Sequence, residues 1–501
     1  MNAPDSAHWR RTSPYAILFF IGRILRLIAK NAWQSLAPLF ALLVAYQGDL
    51  VTKLAFGGIA FALVITIASL LSYWFFRYRI SADSILIRQG VIKKKQLDIK
   101  FDRIQGINTE QNIIYRALGL VTINFDTAGS AGNEGNLPAV TRAFADALRT
   151  RIGGTVPGEE TAEPVAKPAA AALVSLDWRD MVRIGLADRR ALIVFAFIGP
   201  LIEQLDENIE EFIADFVQSA AANGVHFDTT GGVTIGVVVV AALALVFILV
   251  SIGAAFLRYH NFEVLLDGRT LRSQGGLVTR HEHSMDLGKI QTIRLQQGII
   301  QRWLKRYRMT ARQAISGRKH RSGKVFTIPV VTAELADELR LRFLRPEAGR
   351  LTQDPYSDRF VPISPHYLRS RILFAGVIPA LVALVALWQI IGAVALAFLL
   401  WVPVVTAAAY RNWKRAGFMH DDHEIVRRSG LLGYRTVALL FRKVQRITVT
   451  QSRYQRRKGL ASLRLYMASG SVRIPYIDHD LAKQLRDFVL YRVESSRLAW
   501  H

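Results

Sequence analysis

Three uninterrupted apolar runs govern what this chain can fold into. Leu54–Phe76, Val233–Phe256 and Ile390–Tyr410 are 21 to 24 residues long and contain no Asp, Glu, Lys, Arg or His. A helix needs about 20 apolar residues to cross a hydrocarbon layer of about 30 Å, so each is expected to span a membrane. A shorter apolar run of 15 to 17 residues precedes each one: Ala32–Tyr46, Ala191–Leu205 and Ile372–Trp388. By length alone these suit buried core helices as well as spans.

Charge placement separates the two readings. Arg10, Arg11, Arg23, Arg26 and Lys30 precede the first pair, and Arg77 and Arg79 follow it. Arg189 and Arg190 precede the second pair and Arg258 follows. Arg369 and Arg371 precede the third, and Arg411, Lys414 and Arg415 follow. Inside the pairs the pattern inverts: Glu203–Gly231 carries seven acids and no Lys or Arg. Basic flanks stay in the cytoplasm, so six spans are expected, with the N-terminus and all inter-pair segments cytoplasmic in a bacterial plasma (inner) membrane. Tyr15–Ala29, interrupted by Arg23 and Arg26, reads as an amphipathic helix on the inner surface rather than a cleavable signal. Asp177–Ala187 has the same character.

A threefold repeat follows the pairs. Gly90, Gly276 and Gly430 each lie fourteen residues before an Ile/Val–Gln pair, at Ile104, Ile290 and Val444. A base precedes each pair (Arg103, Lys289, Lys443). Then come Gln111, Gln297 and Gln451, and five residues later Arg116, Arg302 and Arg456. Alternating apolar runs such as Gln96–Phe101 and Leu120–Phe125 predict short strands. Each module ends with a proline (Pro138, Pro329, Pro475) and a segment of helical apolar spacing, such as Phe144, Leu148 and Ile152. The fold class expected is membrane helical hairpins plus mostly-β modules, each a small barrel or curled sheet capped by a C-terminal helix. The expected divisions are 1–31 (N-terminus), 32–76 (pair 1), 77–153 (module 1), 154–173 (linker), 191–256 (pair 2), 257–345 (module 2), 346–365 (linker), 372–410 (pair 3) and 411–494 (module 3).

The run from Ile80 to Gly129 resembles the bacterial pleckstrin-homology-like domain of YdbS/YdbT-like membrane proteins. The resemblance is carried by the Gly90 hairpin, the Asp102-Arg103-Ile104-Gln105 step, Gln111, the Arg116-Ala117-Leu118-Gly119-Leu120 segment and Asp126-Thr127-Ala128-Gly129. It extends over all three modules and is weakest in the second, where Gly288 replaces Asp102 and Lys305 replaces Gly119. It implies a pleckstrin-homology barrel with a C-terminal helix, and no catalytic residue.

Signs of chemistry are sparse. There is no phosphate-binding loop, nucleophile elbow or zincin motif, and with no cysteine there is no thiol catalysis or cysteine-held metal. His281-Glu282-His283 places two imidazoles on one strand face, and His420-Asp421-Asp422-His423-Glu424 gathers further ligand types. Both read more simply as exposed turn residues. No enzymatic activity, cofactor or metal is expected. The net charge of +25 is the sharper signal. Leu287–Thr332 holds eleven Lys/Arg and Ile425–Ile477 twelve, with no acid in either. Beside a bilayer, such single-sign fields favour anionic lipid headgroups by about 1 kcal/mol per nearby base. The candidate contacts are Lys93, Lys94 and Lys95, then Arg302, Lys305 and Arg306, then Arg456, Arg457 and Lys458. A protein partner stays open, as does the reading that topology alone explains the charge. Nucleic acid is the less expected partner, although Trp303, Tyr307 and Tyr454 interleave with bases. The function expected is a membrane scaffold or binding protein of the envelope. The alternatives are a transporter or channel component, or a membrane-embedded enzyme.

Overall fold

The computed structural model describes residues 8–30, 50–91, 93–127, 135–153, 172–187, 229–313, 325–344 and 351–496. The first members of apolar pairs 1 and 2, and all but the last residues of the acidic Glu203–Gly231 loop, lie outside them.

Each module runs through the same elements. In the first these are β1 (Arg77–Ile80), β2 (Ser84–Gln89), β3 (Lys95–Lys100), a 3-10 turn at Phe101–Arg103, β4 (Ile104–Asn112), a one-turn helix, β5 (Leu120–Thr127), β6 (Gly135–Thr141) and a closing helix, Arg142–Gly153. The second runs β8 (Glu263–Asp267), β9 (Thr270–Gly275), β10 (Thr279–Asp286), β11 (Ile290–Gln297), β12 (Tyr307–Gln313), β13 (Val325–Val331) and helix Ala333–Phe343. The third runs β15 (Gly417–His420), β16 (Glu424–Ser429), β17 (Tyr434–Leu440), β18 (Val444–Thr450), β19 (Leu460–Met467), β20 (Gly470–Asp478) and helix His479–Ser495.

The repeated glycine has a local cause. Gly90, Gly276 and Gly430 have φ of +107°, +115° and +155° at the turn between the second and third of these strands. A Cβ there would lie 2.1, 2.1 and 1.9 Å from the carbonyl oxygen three residues on, a turn only glycine can make. Ile104, Ile290 and Val444 each open the strand after the 3-10 turn and are all buried, as their shared place in the repeat predicts.

Two features depart from the expected plan. Modules 2 and 3 begin before their long apolar helices: β7 (Ala172–Ser175) pairs with β8, and β14 (Val361–Pro362) with β15. In module 1 the same place is held by a bridge between Arg10 and Tyr78. The modules are also not self-contained barrels. The edge strand β4 of module 1 pairs with β10 of module 2, and β11 of module 2 with β17 of module 3. The result is two seven-stranded sheets, β6-β5-β4-β10-β9-β8-β7 and β13-β12-β11-β17-β16-β15-β14, flanked by three-stranded sheets β1-β2-β3 and β18-β19-β20. An exposed strand edge is a row of unpaired amides and carbonyls, and the repeats satisfy each other's edges. Across the second seam the core is shared, with Phe360, Met419, Val426, Ala438 and Leu440 packing into the apolar cluster of module 2, while module 1 keeps a cluster of its own.

Among the described residues, two helical segments are long and apolar enough to cross a membrane: Gly58–Phe75, within α2 (Leu50–Phe75), and His366–Arg415. The second folds back on itself. Gly392, at φ +57°, breaks the helix, and the limbs meet through Trp401 Nε1 donating to the Ala375 carbonyl and Asn412 Nδ2 donating to Tyr367 Oη, both at 2.9 Å. Thr229–Tyr259 precedes module 2. The N-terminal amphipathic stretch is α1 (Ala16–Lys30), whose Ala16 and Phe20 enter the core of module 1. Asp177 caps the helix Trp178–Leu186.

Candidate membrane-docking face

The glycine turns lie against the module ends of the apolar helices. Gly276 N donates to His260 O and Leu277 N to Leu257 O, at 2.9 and 2.8 Å. Arg415, at the end of Trp401–Arg415, donates to Leu431 O at 2.6 Å. In module 1, Arg23 of α1 reaches Gln89, beside Gly90, at 3.3 Å. The turns therefore mark the part of modules 2 and 3 nearest the preceding apolar helices, and in module 1 the part nearest α1.

The basic residues picked out from sequence gather along this side in two ways. Lys93, Lys94 and Lys95 are exposed in the β2–β3 turn. Arg302 and Lys305 are exposed and Arg306 half-buried beside the short helix Ile299–Trp303. Arg456, Arg457 and Lys458 are exposed beside the equivalent helix Arg453–Arg457. The repeated arginine has a second relation. Arg116 Nη2 donates to Gly276 O at 3.5 Å, across the first seam. Arg302 lies 5.8 Å from the ring centre of Tyr434, across the second, and Arg415 covers the same ring at 4.8 Å. The repeated base ahead of the Ile/Val–Gln pair also bridges seams: Lys289 Nζ donates to Ile104 O at 3.4 Å and Lys443 Nζ to Gly288 O at 2.7 Å.

Apart from Trp303, the apolar partners of these bases are not distinguishable in the sequence. In the one-turn helix Ile113–Ala117, Ile113 is 56% exposed, and Ile114 is exposed beside it. At the same repeat positions in module 2, Ile299 is 57% exposed, followed by Ile300, and Trp303 is 90% exposed. Leu431 and Leu432 are exposed in the third glycine turn. Exposed Ile and Trp interleaved with Arg and Lys is the composition of an interfacial surface, where apolar bodies enter the acyl boundary and charged heads reach phosphates. Lys305 adds strain. It sits at φ +49°, where its repeat equivalents Gly119 and Gly459 lie at +65° and +64°. A left-handed side-chain-bearing residue costs about 1–2 kcal/mol, so a base stands here at the expense of local stability.

A cleft of about 250 Å³ lies beneath α1, lined by Phe19, Arg23, Arg26, Phe76, Gln89, Glu110, Asn124 and Asn136. Two guanidiniums, three amides and one carboxylate, that of Glu110, make it a polar cleft with a net positive lining. Sequence flagged only Arg23 and Arg26, since the amides come from distant strands.

The histidines carry no such site. The His281 and His283 rings stack at 6.3 Å on one face of β10, while Glu282 leaves by the other to meet Arg149 at 2.6 Å. Burial would raise the Glu282 carboxyl, but Arg149 and Arg272 hold it below the usual carboxylate range. In the His420–Glu424 turn, Glu424 is buried against Arg340. No group of three potential metal ligands occurs among the described residues.

Comparison with known proteins matches the bacterial PH domain to residues 24–155, 220–346 and 373–493. The chain is also similar to the transmembrane protein YdbT of Bacillus subtilis (strain 168). They share 23% identity over 495 residues, which cover 93% of this chain and 92% of that protein.

Proposed function

This chain belongs to the bacterial PH domain family, and from that premise we propose that it is a multi-pass inner-membrane scaffold whose three cytoplasmic modules lie along the inner leaflet and touch anionic lipid. The observation that carries the reading is the pairing of exposed apolar tips with bases beside the membrane segments, above all Ile299, Ile300 and Trp303 with Arg302 and Lys305. The helices anchor the chain, and the tips and bases orient the modules. The reading is one of binding, with no chemical step.

The cysteine-free chain allows a direct test. Trp303→Cys carrying an environment-sensitive fluorophore, in the full chain reconstituted into nanodiscs, should be quenched by lipid-borne quenchers. Quenching should be stronger with anionic than with neutral lipid. Replacing Arg302, Lys305 and Arg306 with Gln should weaken it, since each base contributes about 1 kcal/mol near the surface. A label reached equally by aqueous quencher in both lipids would remove the lipid contact.

Topology has its own measurement. Reporter fusions after Phe76, Phe256 and Tyr410 should all read cytoplasm, and one within Glu207–Gly231 should read the outside. Alternating signals would replace six spans by three.

A further inference from the structure

Both seams use one register. In β4·β10, Gln111 faces Arg280 and Glu110 faces His281. In β11·β17, Gln297 faces Tyr434 and Gln296 faces Arg435. Gly276 lies 186 residues beyond Gly90, and Gly430 lies 340 beyond it. Shifted by those offsets, Glu110 corresponds to Gln296 and Thr450, and Lys95 to His281 and Arg435. The two seams then superpose pair for pair. Two edges are left over. Among the described residues no strand pairs with the outer edge of β3, in module 1, or with that of β18, in module 3. β3 is the repeat equivalent of β10 and β17, and β18 of β4 and β11. These two free edges are the two halves of a third seam.

We propose that β18 of one copy of this chain pairs antiparallel with β3 of a second copy, so that the row of modules continues from molecule to molecule. The occupant is fixed by continuity with the internal seams: the strand that fits β18 in this register is of the β3 type, and this chain supplies one. The register pairs Lys95 with Thr450, Gln96 with Val449, Leu97 with Thr448, Asp98 with Ile447 and Ile99 with Arg446.

Charge does not oppose the contact. Lysines on an edge ordinarily discourage pairing, yet the first two positions of this edge pair while basic or aromatic in both internal seams: Arg280 and His281 in one, Tyr434 and Arg435 in the other. Each base faces a polar or acidic residue (Glu110, Gln296), and Thr450 takes that place opposite Lys95. No like charges fall directly opposite in the third seam. The flanking bases repeat as well. Arg103 stands where Lys289 and Lys443 cross to the preceding module, and Arg456 where Arg116 and Arg302 cross to the following one.

One element is weaker. Eleven residues beyond the repeated proline, Arg149 and Arg340 pair with Glu282 and Glu424 of the next module. The third such arginine, Arg486, bonds its neighbour Asp487 at 2.7 Å, and module 1 offers Gln96 and Ser84 at the two glutamate positions. The third seam is therefore reversible where the internal ones are permanent. Because its two surfaces differ, the contact is head-to-tail and propagates as a row or ring in the membrane plane. It does not depend on lipid contact.

Disulfide trapping in the full-length chain in membranes tests this, since only introduced thiols can react. Two differently tagged chains, one Lys95→Cys and one Thr450→Cys, should give a mixed dimer on mild oxidation. Lys95→Cys with Val449→Cys, one residue out of register and on the other face, should give none. Glu110→Cys with His281→Cys in a single chain is the internal control at the same repeat position. Internal closure without the mixed dimer overturns the proposal, and so does equal trapping in and out of register. A Lys95→Cys chain that traps chiefly with itself would mean β3·β3 pairing and would also overturn it. Lipid composition should leave the yield unchanged.

Discussion

Arg340→Leu should be the most damaging single side-chain change outside the apolar core, lowering stability by about 3–5 kcal/mol. Arg340 Nη1 lies 2.5 Å from Glu424 Oε1 across the second seam, and both side chains are almost fully buried. Arg340 also donates to the Leu351 carbonyl, which fastens the segment leading into module 3. Removing the guanidinium leaves a carboxylate in an apolar interior with no compensating charge. Desolvation already pushes Glu424 up to about 7, against the opposing pull of Arg340. The sign follows from that direction. A carboxyl whose folded pKa is raised favours the folded state fully below its unfolded value, about 4.3, and loses that contribution as pH rises through the folded value. The variant, lacking the pull of Arg340, should therefore become more stable as pH is lowered from 8 toward 5. Arg340→Leu with Glu424→Leu should recover most of the loss, because an apolar pair of similar volume replaces a buried ion pair at little cost. Thermal unfolding of the purified protein in detergent, as a double-mutant cycle, gives the coupling. A single variant within 1 kcal/mol of the parent would show that the pair contributes little to holding the seam.

What the sequence could disclose follows the range of the forces involved. Gly90, Gly276 and Gly430 were legible because their constraint is local: a carbonyl three residues away forbids a Cβ. Ile104, Ile290 and Val444 were legible because burial on a short strand leaves an alternating pattern. The seams were not. Thr109 and Glu282 are 173 residues apart and bond at 3.1 Å, and nothing in either strand's pattern distinguishes a paired edge from a free one. The same distance hid β7 and β14, which precede the long apolar helices and join sheets formed after them. Arg103, Lys289 and Lys443 stand out in the sequence as a repeated base without an evident role. Two of the three cross a seam. The proposed docking face was half legible. The bases were visible as single-sign fields with Trp303 among them, but nothing in the sequence sets Ile113 and Ile299 apart from core residues; their exposure does. Lys305, at a position where Gly119 and Gly459 stand in the other repeats, was a sequence signal of left-handed backbone.

Gly433→Ala should open the second seam while leaving module 3 folded. Gly433 precedes β17 directly, and a Cβ there would lie 1.8 Å from the Gln297 carbonyl oxygen and 3.1 Å from Gly298 Cα. Both atoms belong to the backbone of the facing module, so no side-chain rotation relieves the clash. Either β17 moves away from β11 or the glycine turn rebuilds. Overpacking in a closed site costs about 1–3 kcal/mol, and a backbone-on-backbone collision belongs at the upper end. Gly268→Ala is the contrast. Gly268 has φ +57° and nothing within 4 Å of its added Cβ, so only the left-handed penalty of about 1–2 kcal/mol applies. Amide exchange locates the damage. In Gly433→Ala, protection should fall along β11 and β17, where six residue pairs from Thr292↔Leu439 to Gln297↔Tyr434 join the modules. The strands β18, β19 and β20 should stay protected, because their sheet is paired within module 3. Loss of protection spread evenly over module 3 would mean that it cannot fold apart from its neighbour. Unchanged protection along β11 would mean that the close approach at Gly433 does not hold the seam.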